Sequence, residues 1–215
     1  MLISIDGACK RNGQPTCSSV GVAWIITEAG DMLYKATFET CSTSQRGEIN
    51  GLIEALRYAV STPASEDITI ITDSEYLYNT ITKDWCHTWR VAGWIGATGP
   101  VKNADLWGIV TCLLDKLGDR IYMEWTKGHI LPYTPGNVKQ AMLVDTTGIE
   151  LYSRIKSVSE RPSEHSNIAA RFNKERLEHD KMIVPTDVAV TWAVLNTIAD
   201  CLASYIVCSL DELNV

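Results

Sequence analysis

No two cysteines in this 215-residue sequence form a CxxC pair, although there are seven, scattered from Cys9 to Cys208. An odd, dispersed set argues against a disulfide framework or a zinc knuckle and fits a reducing compartment, so a cytoplasmic location is expected. Positive charge is also scarce: 19 Lys and Arg stand against 26 Asp and Glu, a net charge of −7. Residues 1–156 hold 14 of the bases and 17 of the acids. If four of those acids neutralised bound cations, the segment would be close to neutral. A polyanionic ligand is therefore compatible with the composition, but nothing favours strong electrostatic capture. The opening "MLISIDGACK" has no basic-then-apolar leader pattern and reads as a strand from its second residue.

One apolar run stands out, "VAVTWAVLNTIADCLASYIVCSL" near the end. Its length alone would permit a membrane span. Asn196 and Asp200 sit mid-run, however, and a charged Asp near a bilayer centre costs about 3 kcal/mol. No basic flank marks an inside face. A buried or self-associating helix over 187–215 is expected, with no membrane and with two copies or a protein partner meeting through it. The preceding segment, 157–186, is polar with a Pro near each end and reads as a linker around one charged helix.

The first 156 residues read as one domain. "LISIDGA", "VGVAWIIT" and "MLYKATFE" are β-rich runs joined by short turns, an antiparallel meander. "STSQRGEINGLIEALRYAVSTP" changes to helical period, with Ser42-x-x-Gln45 as a capping box. "DITIITDSEYLYNTI" is a buried parallel strand entering a helix, "NADLWGIVTCLLDKL" a further helix and "RIYMEWTKGH" a fifth strand. A last helix falls within 140–156. The expected fold class is α/β, a five-stranded mixed sheet flanked by helices, plus a helical C-terminal extension.

Three acids occupy suggestive places. Asp6 lies in the first strand on the face opposite Ile3 and Ile5, Glu48 in the first turn of the first helix, and Asp73 at the end of the fourth strand. Singly, each has a bland role as turn former, dipole partner or cap. Together, if strands one and four are neighbours, they form a carboxylate cluster that repels itself unless cations bind. Hard oxygen ligands with room for water select Mg²⁺ or Mn²⁺. Two such ions roughly 4 Å apart would clamp both oxygens of an in-line phosphoryl displacement.

"ISIDGACK", "TSQRGEINGLIEAL", "ITDSEYLYNTI", "WCHTWRVAGW", "VKNADLW" and "YMEWTKGH" follow one another in the order of a known family. In these six motifs, over about residues 1–155, the sequence resembles type 1 ribonuclease H. The resemblance implies a ribonuclease H-like fold and an endonuclease that hydrolyses the RNA strand of RNA/DNA hybrids, leaving 5′-phosphate and 3′-hydroxyl ends. It implies two Mg²⁺ ions, with Mn²⁺ as a substitute, held by Asp6, Glu48, Asp73 and an Asp shortly after "KGH". His129 would stand beside them, assisting proton transfer or product release. A catalytically weakened hybrid-binding or scaffold module is the alternative, and the fourth carboxylate decides between the two.

For substrate contacts the resemblance points to backbone near Cys9, to Gln45 and to Glu48 for the 2′-hydroxyls that mark RNA. Thr43 and Asn103 match positions that hold a DNA phosphate, and Trp89 is the candidate for the DNA sugar. "WCHTWRVAGWIGATGPVK" matches a protruding basic handle, with Trp85 and Trp94 expected to be mostly core. Its cations are reduced to Arg90 and Lys102, with His87 when protonated.

The fourth carboxylate is the irregular point. In the family an Asn follows the histidine by about six positions and the ligand Asp comes four later. Here Asn137 is eight after His129, and Ala141 stands four beyond it. Asp145 is the one carboxylate between His129 and Glu150. If a helix began at Asn137, Asp145 would lie about 6 Å too far along it. If "GNVKQA" is extra loop, Asp145 falls in the first turns of a later helix and completes the cluster. The second account is favoured, because three carboxylates would hold one metal poorly.

Overall fold

Strand β2 (Ser18–Ile26) is buried at eight consecutive positions, and β1 (Leu2–Lys10) at four, Ile3 to Asp6. Continuous burial rather than alternation means that both faces of the sheet are covered. The computed structural model, which describes residues 1–131 and 149–213, bears this out. β1 pairs antiparallel with β2, and β2 with β3 (Met32–Thr40). On its other side β1 pairs parallel with β4 (Ile68–Thr72), which pairs parallel with β7 (Ile121–Trp125). The order is β3-β2-β1-β4-β7, with a separate two-residue ribbon of β5 (Ile95–Gly96) and β6 (Gly99–Pro100).

One face is covered by α1 (Ser44–Val60) and α4 (Ala104–Leu117), flanked by α2 (Glu75–Thr82) and α3 (Trp85–Val91). Ile3, Ile5, Ala23 and Ile25 meet Ile49, Leu52, Leu56 and Val110 there. Helix α1 approaches unusually closely because glycines line the seam. A Cβ on Gly7 would stand 2.2 Å from the Glu48 nitrogen, and one on Gly21 2.2 Å from the Gly51 nitrogen. The expected capping box is displaced by one residue. Thr43 is the N-cap, accepting from the Arg46 amide, while Ser42 is buried and bonded to Ser19 and Glu39. Glu48 therefore falls in the second turn of α1 rather than the first. Arg46 then ties the start of α1 to β3 through Glu39 and to α4 through Asp105.

The other face is covered by the C-terminal region. Helices α5 (Ile149–Ser159), α6 (Pro162–His179) and α7 (Thr186–Leu213) share one core with Val20, Val22, Trp24 and Ile71. The range 157–186 holds the charged helix expected there, α6, which buries Ile168, Ala169, Phe172 and Arg176 against the sheet's helical layer. The Arg176 guanidinium donates to the Trp125 carbonyl at 2.7 Å, pairs with Glu124 and Asp180 and lies over the Trp192 ring. His179 stacks on Trp125 at 3.9 Å between ring centroids. These contacts close the edge strand β7 against α6.

Helix α7 packs across β1 and β2. It is the one helix among the described residues long and apolar enough to cross a membrane, and most of its apolar stretch is buried within the protein. Burial against the sheet accounts for the apolar surplus that had suggested association of two copies through this helix.

Candidate active site

The parallel register sets the first two acids side by side. Ser4 pairs with Ile71, so two residues further on Asp6 stands opposite Asp73, at the ~4.8 Å spacing of neighbouring strands. Both side chains share the face of Ser4 and Ile71, opposite that of Ile3 and Ile70. Glu48 comes from α1, which the Gly7 contact brings onto β1. Ligand oxygens of Asp6, Glu48 and Asp73 all lie within 4.8 Å of one another.

The position of Asp73 is over-determined. Its carbonyl accepts from the Trp125 indole at 3.1 Å, and the Thr126 amide donates to the neighbouring Thr72 carbonyl at 2.9 Å. Ser74, not Asp73, caps α2. Gly128 passes directly over the carboxylate, since a Cβ there would stand 2.3 Å from Asp73 Oδ2. The glycine of "KGH" is thus required by the site.

Sequence reasoning missed what arrives from the other side. Asn196 and Asp200, one helical turn apart on α7, both reach the cluster. Asn196 Nδ2 donates to Asp73 Oδ2 at 3.4 Å. Asp200 lies close enough to push up the Asp6, Glu48 and Asp73 carboxyls by charge repulsion, and its Oδ2 lies 3.2 Å from His129 Nδ1. The signal was present in the sequence: two polar residues at i and i+4 in an otherwise apolar run. It weighed there only as a cost of membrane insertion.

Electrostatics at this point are unfavourable by construction. Burial, then repulsion from Glu48, Asp73 and Asp200, pushes the Asp6 carboxyl well above the usual carboxylate range. Glu48 is raised likewise by burial, then by Asp73 and Asp200. Asp73 and Asp200 are raised chiefly by burial, with partial relief from the Asn196 bond and His129 respectively. Two unit charges 4 Å apart repel by about 4 kcal/mol at an effective dielectric of 20. Glu48 Oε2 and Asn196 Oδ1 are buried and have no hydrogen-bond partner among the described residues. Converging oxygens with unused lone pairs fit a hard divalent cation, which would remove both the repulsion and the orphaned acceptors.

The remaining expected residues are distributed as follows. His129 has a left-handed backbone (φ 57°) and a side chain 80% exposed at the edge of the cluster. Asp145 lies outside the described residues. Thr43 and Gln45 sit at the start of α1, the helix that carries Glu48, and Cys9 is half-buried toward the end of β1. Asn103 precedes α4 in a left-handed conformation. Trp89 is half-buried, edge-on to Trp107 and tilted against Trp85. Trp85 is exposed rather than core, and Lys83 lies over its ring. The handle's cations are also engaged locally. Arg90 pairs with Asp115 at 2.6 Å, and the His87 ring sits between Asp84 and Asp115.

A family model described as RNase H matches residues 1–146. A ribonuclease H of Polaromonas sp. (strain JS666 / ATCC BAA-500) is 36% identical over 151 residues, covering 70% of this chain and 88% of the relative. A ribonuclease H of Verminephrobacter eiseniae is 36% identical over 146 residues, covering 66% of this chain and 86% of that one. Among solved structures, a foamy viral protease–reverse transcriptase in complex with RNA/DNA hybrid aligns with a TM-score of 0.52 at 18% identity. It covers 68% of this chain and 19% of that one. Native prototype foamy virus protease–reverse transcriptase aligns at 0.51 and 19% identity, over 69% and 20% of the two chains. At these identities the structural likeness speaks for the fold alone, but the sequence match spans β1 to β7 and every motif of the site's strand side. The chain belongs to the ribonuclease H family.

Proposed function

We propose that the protein is a Mg²⁺-dependent endonuclease that hydrolyses the RNA strand of RNA/DNA hybrids, leaving 5′-phosphate and 3′-hydroxyl ends. The observation that carries this reading is the convergence of Asp6, Glu48 and Asp73 within 4.8 Å on a ribonuclease H sheet. Family membership and relatives named ribonuclease H support the choice of substrate.

Asp6, Glu48 and Asp73 would hold the ions. When bound, two such ions would lower the pKa of the attacking water and offset charge on the departing 3′ oxygen. The chain's own contribution is positional. The Trp125 and Gly128 contacts hold Asp73, and the glycine seam holds Glu48 against β1. His129, largely exposed beside the carboxylates, would assist proton transfer or product release at the site's edge. Thr43, Gln45 and Asn103 lie at the starts of α1 and α4, which Arg46 and Asp105 tie together. That arrangement suits uncharged contacts which position a duplex without adding much affinity.

The test is digestion of end-labelled RNA/DNA hybrid, double-stranded RNA and double-stranded DNA in millimolar Mg²⁺, with Asp73→Asn as control. Cleavage restricted to the RNA of the hybrid and lost in the control is expected. An intact hybrid at millimolar Mg²⁺ or Mn²⁺ would falsify the reading.

A further inference from the structure

We infer that Asp200 is the fourth carboxylate of the metal site and that Asn196 is a positioning residue for Asp73, both supplied by α7 from outside the family-matching segment. The inference rests on the reading of Asp6, Glu48 and Asp73 as metal ligands. Residues 1–146 match the family, whereas Asn196 and Asp200 lie 50 and 54 residues beyond the end of that match.

The geometry is specific. Asn196, Asp200 and Ser204 recur at intervals of four, so they form one stripe along α7. Around that stripe Ala193, Leu195, Ile198, Ala199, Leu202 and Ala203 are fully buried. Polar groups are expensive in such a setting unless each has a partner. The stripe meets the sheet where the two strand aspartates sit: Asn196 bonds Asp73, and Asp200, one turn further on, lies within repulsive reach of Asp6.

Asn196 also supplies an independent pointer to a ligand. It is 1% exposed, and with Nδ2 given to Asp73 its Oδ1 has no partner among the described residues. Turning the amide over would set its oxygen against the Asp73 carboxylate, so the orphaned acceptor cannot be relieved that way. An acceptor left open beside carboxylates suits a metal-bound water as donor.

Asp200 has a plainer candidate role, an ion pair with His129. That role alone does not account for placing a carboxylate within repulsive reach of Asp6, Glu48 and Asp73. A fourth acid there adds repulsion to a site that already has too much, which is useful only where cations are held.

The test uses the full chain and Mn²⁺ titration followed by calorimetry, alongside thermal unfolding in EDTA. Asp200→Asn is expected to weaken the tightest Mn²⁺ site about 100-fold, or to lose one ion from the stoichiometry. Asn196→Ala is expected to weaken it about 10-fold, the scale of a residue that orients a ligand. Asp200→Asn should also unfold at a higher temperature than wild type in EDTA, because it removes repulsion. A residue serving only as a salt-bridge partner would give the opposite shift. Asp187→Asn, exposed at the start of the same helix, controls for unrelated charge loss.

Wild-type Mn²⁺ stoichiometry and affinity in Asp200→Asn, or a loss that appears in Asp145→Asn instead, would overturn the inference. Hybrid cleavage by wild type separates the two readings. Cleavage with an indifferent Asp200 sinks only the inference. Mn²⁺ binding that depends on Asp200 without hybrid cleavage sinks only the substrate assignment.

Discussion

Asp73 and Gly128 illustrate how little slack the site allows. Replacing Gly128 with Ala places a methyl group within 2.3 Å of the Asp73 carboxylate, so the carboxylate must move. A misplacement near 1 Å in a reacting constellation costs on the order of 10²-fold in rate. Gly128→Ala is therefore expected to lower hybrid cleavage about 100-fold while changing the urea midpoint little, a contrast that single-turnover kinetics beside equilibrium unfolding would reveal. At this scale the strand acids were legible in the sequence, because Asp6 and Asp73 end or interrupt β-rich runs. Asn196 and Asp200 were not, because nothing local tells a polar residue in an apolar helix which neighbour it will meet.

Helix α6 and the handle carry the predictions that belong to elements. Arg176 is buried with Glu124, Asp180 and the Trp125 carbonyl around its guanidinium. Removing one partner from a buried ionic group typically costs about 3–5 kcal/mol. Arg176→Met should lower the unfolding free energy by that order in a urea titration and loosen β7, which carries Trp125 and so the hold on Asp73. In the handle, Arg90 and His87 are satisfied by Asp115 and Asp84, so few cations remain to displace counterions. A protein neutralising six phosphates has a log–log salt slope near −5. Hybrid affinity measured by anisotropy between 50 and 200 mM salt is expected to fall more gently than that, and a slope of −5 or steeper would refute this account of the handle. The helical periods of α1 and α4 and the five strands could be read directly from apolar spacing. The polar span 157–186 resembled a linker because α6 buries only a narrow stripe, Ile168, Ala169, Phe172 and Arg176, on an otherwise charged helix.

For the whole molecule, the sheet is covered on both faces only if residues 149–213 are present. A chain ending at residue 148 would leave Val20, Val22, Trp24 and Ile71 without their helical layer. Such a chain is expected to bind a hydrophobic dye and to lose its cooperative thermal transition; a sharp two-state melt would contradict the shared core. Stability should also depend on pH in a metal-linked way. Asp6, Glu48 and Asp73 have native pKa values raised above the ordinary carboxylate value of about 4. Between that value and the raised ones the native state holds protons that the unfolded chain has released, so stability falls as pH rises through the window. In EDTA the melting temperature should decline from about pH 4 toward neutrality on this account, and saturating Mg²⁺ should flatten the decline because bound cations favour the ionised forms.

The hydrogen bond between Asn196 and Asp73 joins residues 123 apart, and α7 packs directly on the first strand. During synthesis the first strand leaves the ribosome long before α7 has been made, and domains form from the N-terminal side onward. With Asp200 as a ligand, the site is complete only after about 200 residues have been polymerised and α7 has docked. Completion of the cutting centre is on that account a late event of folding.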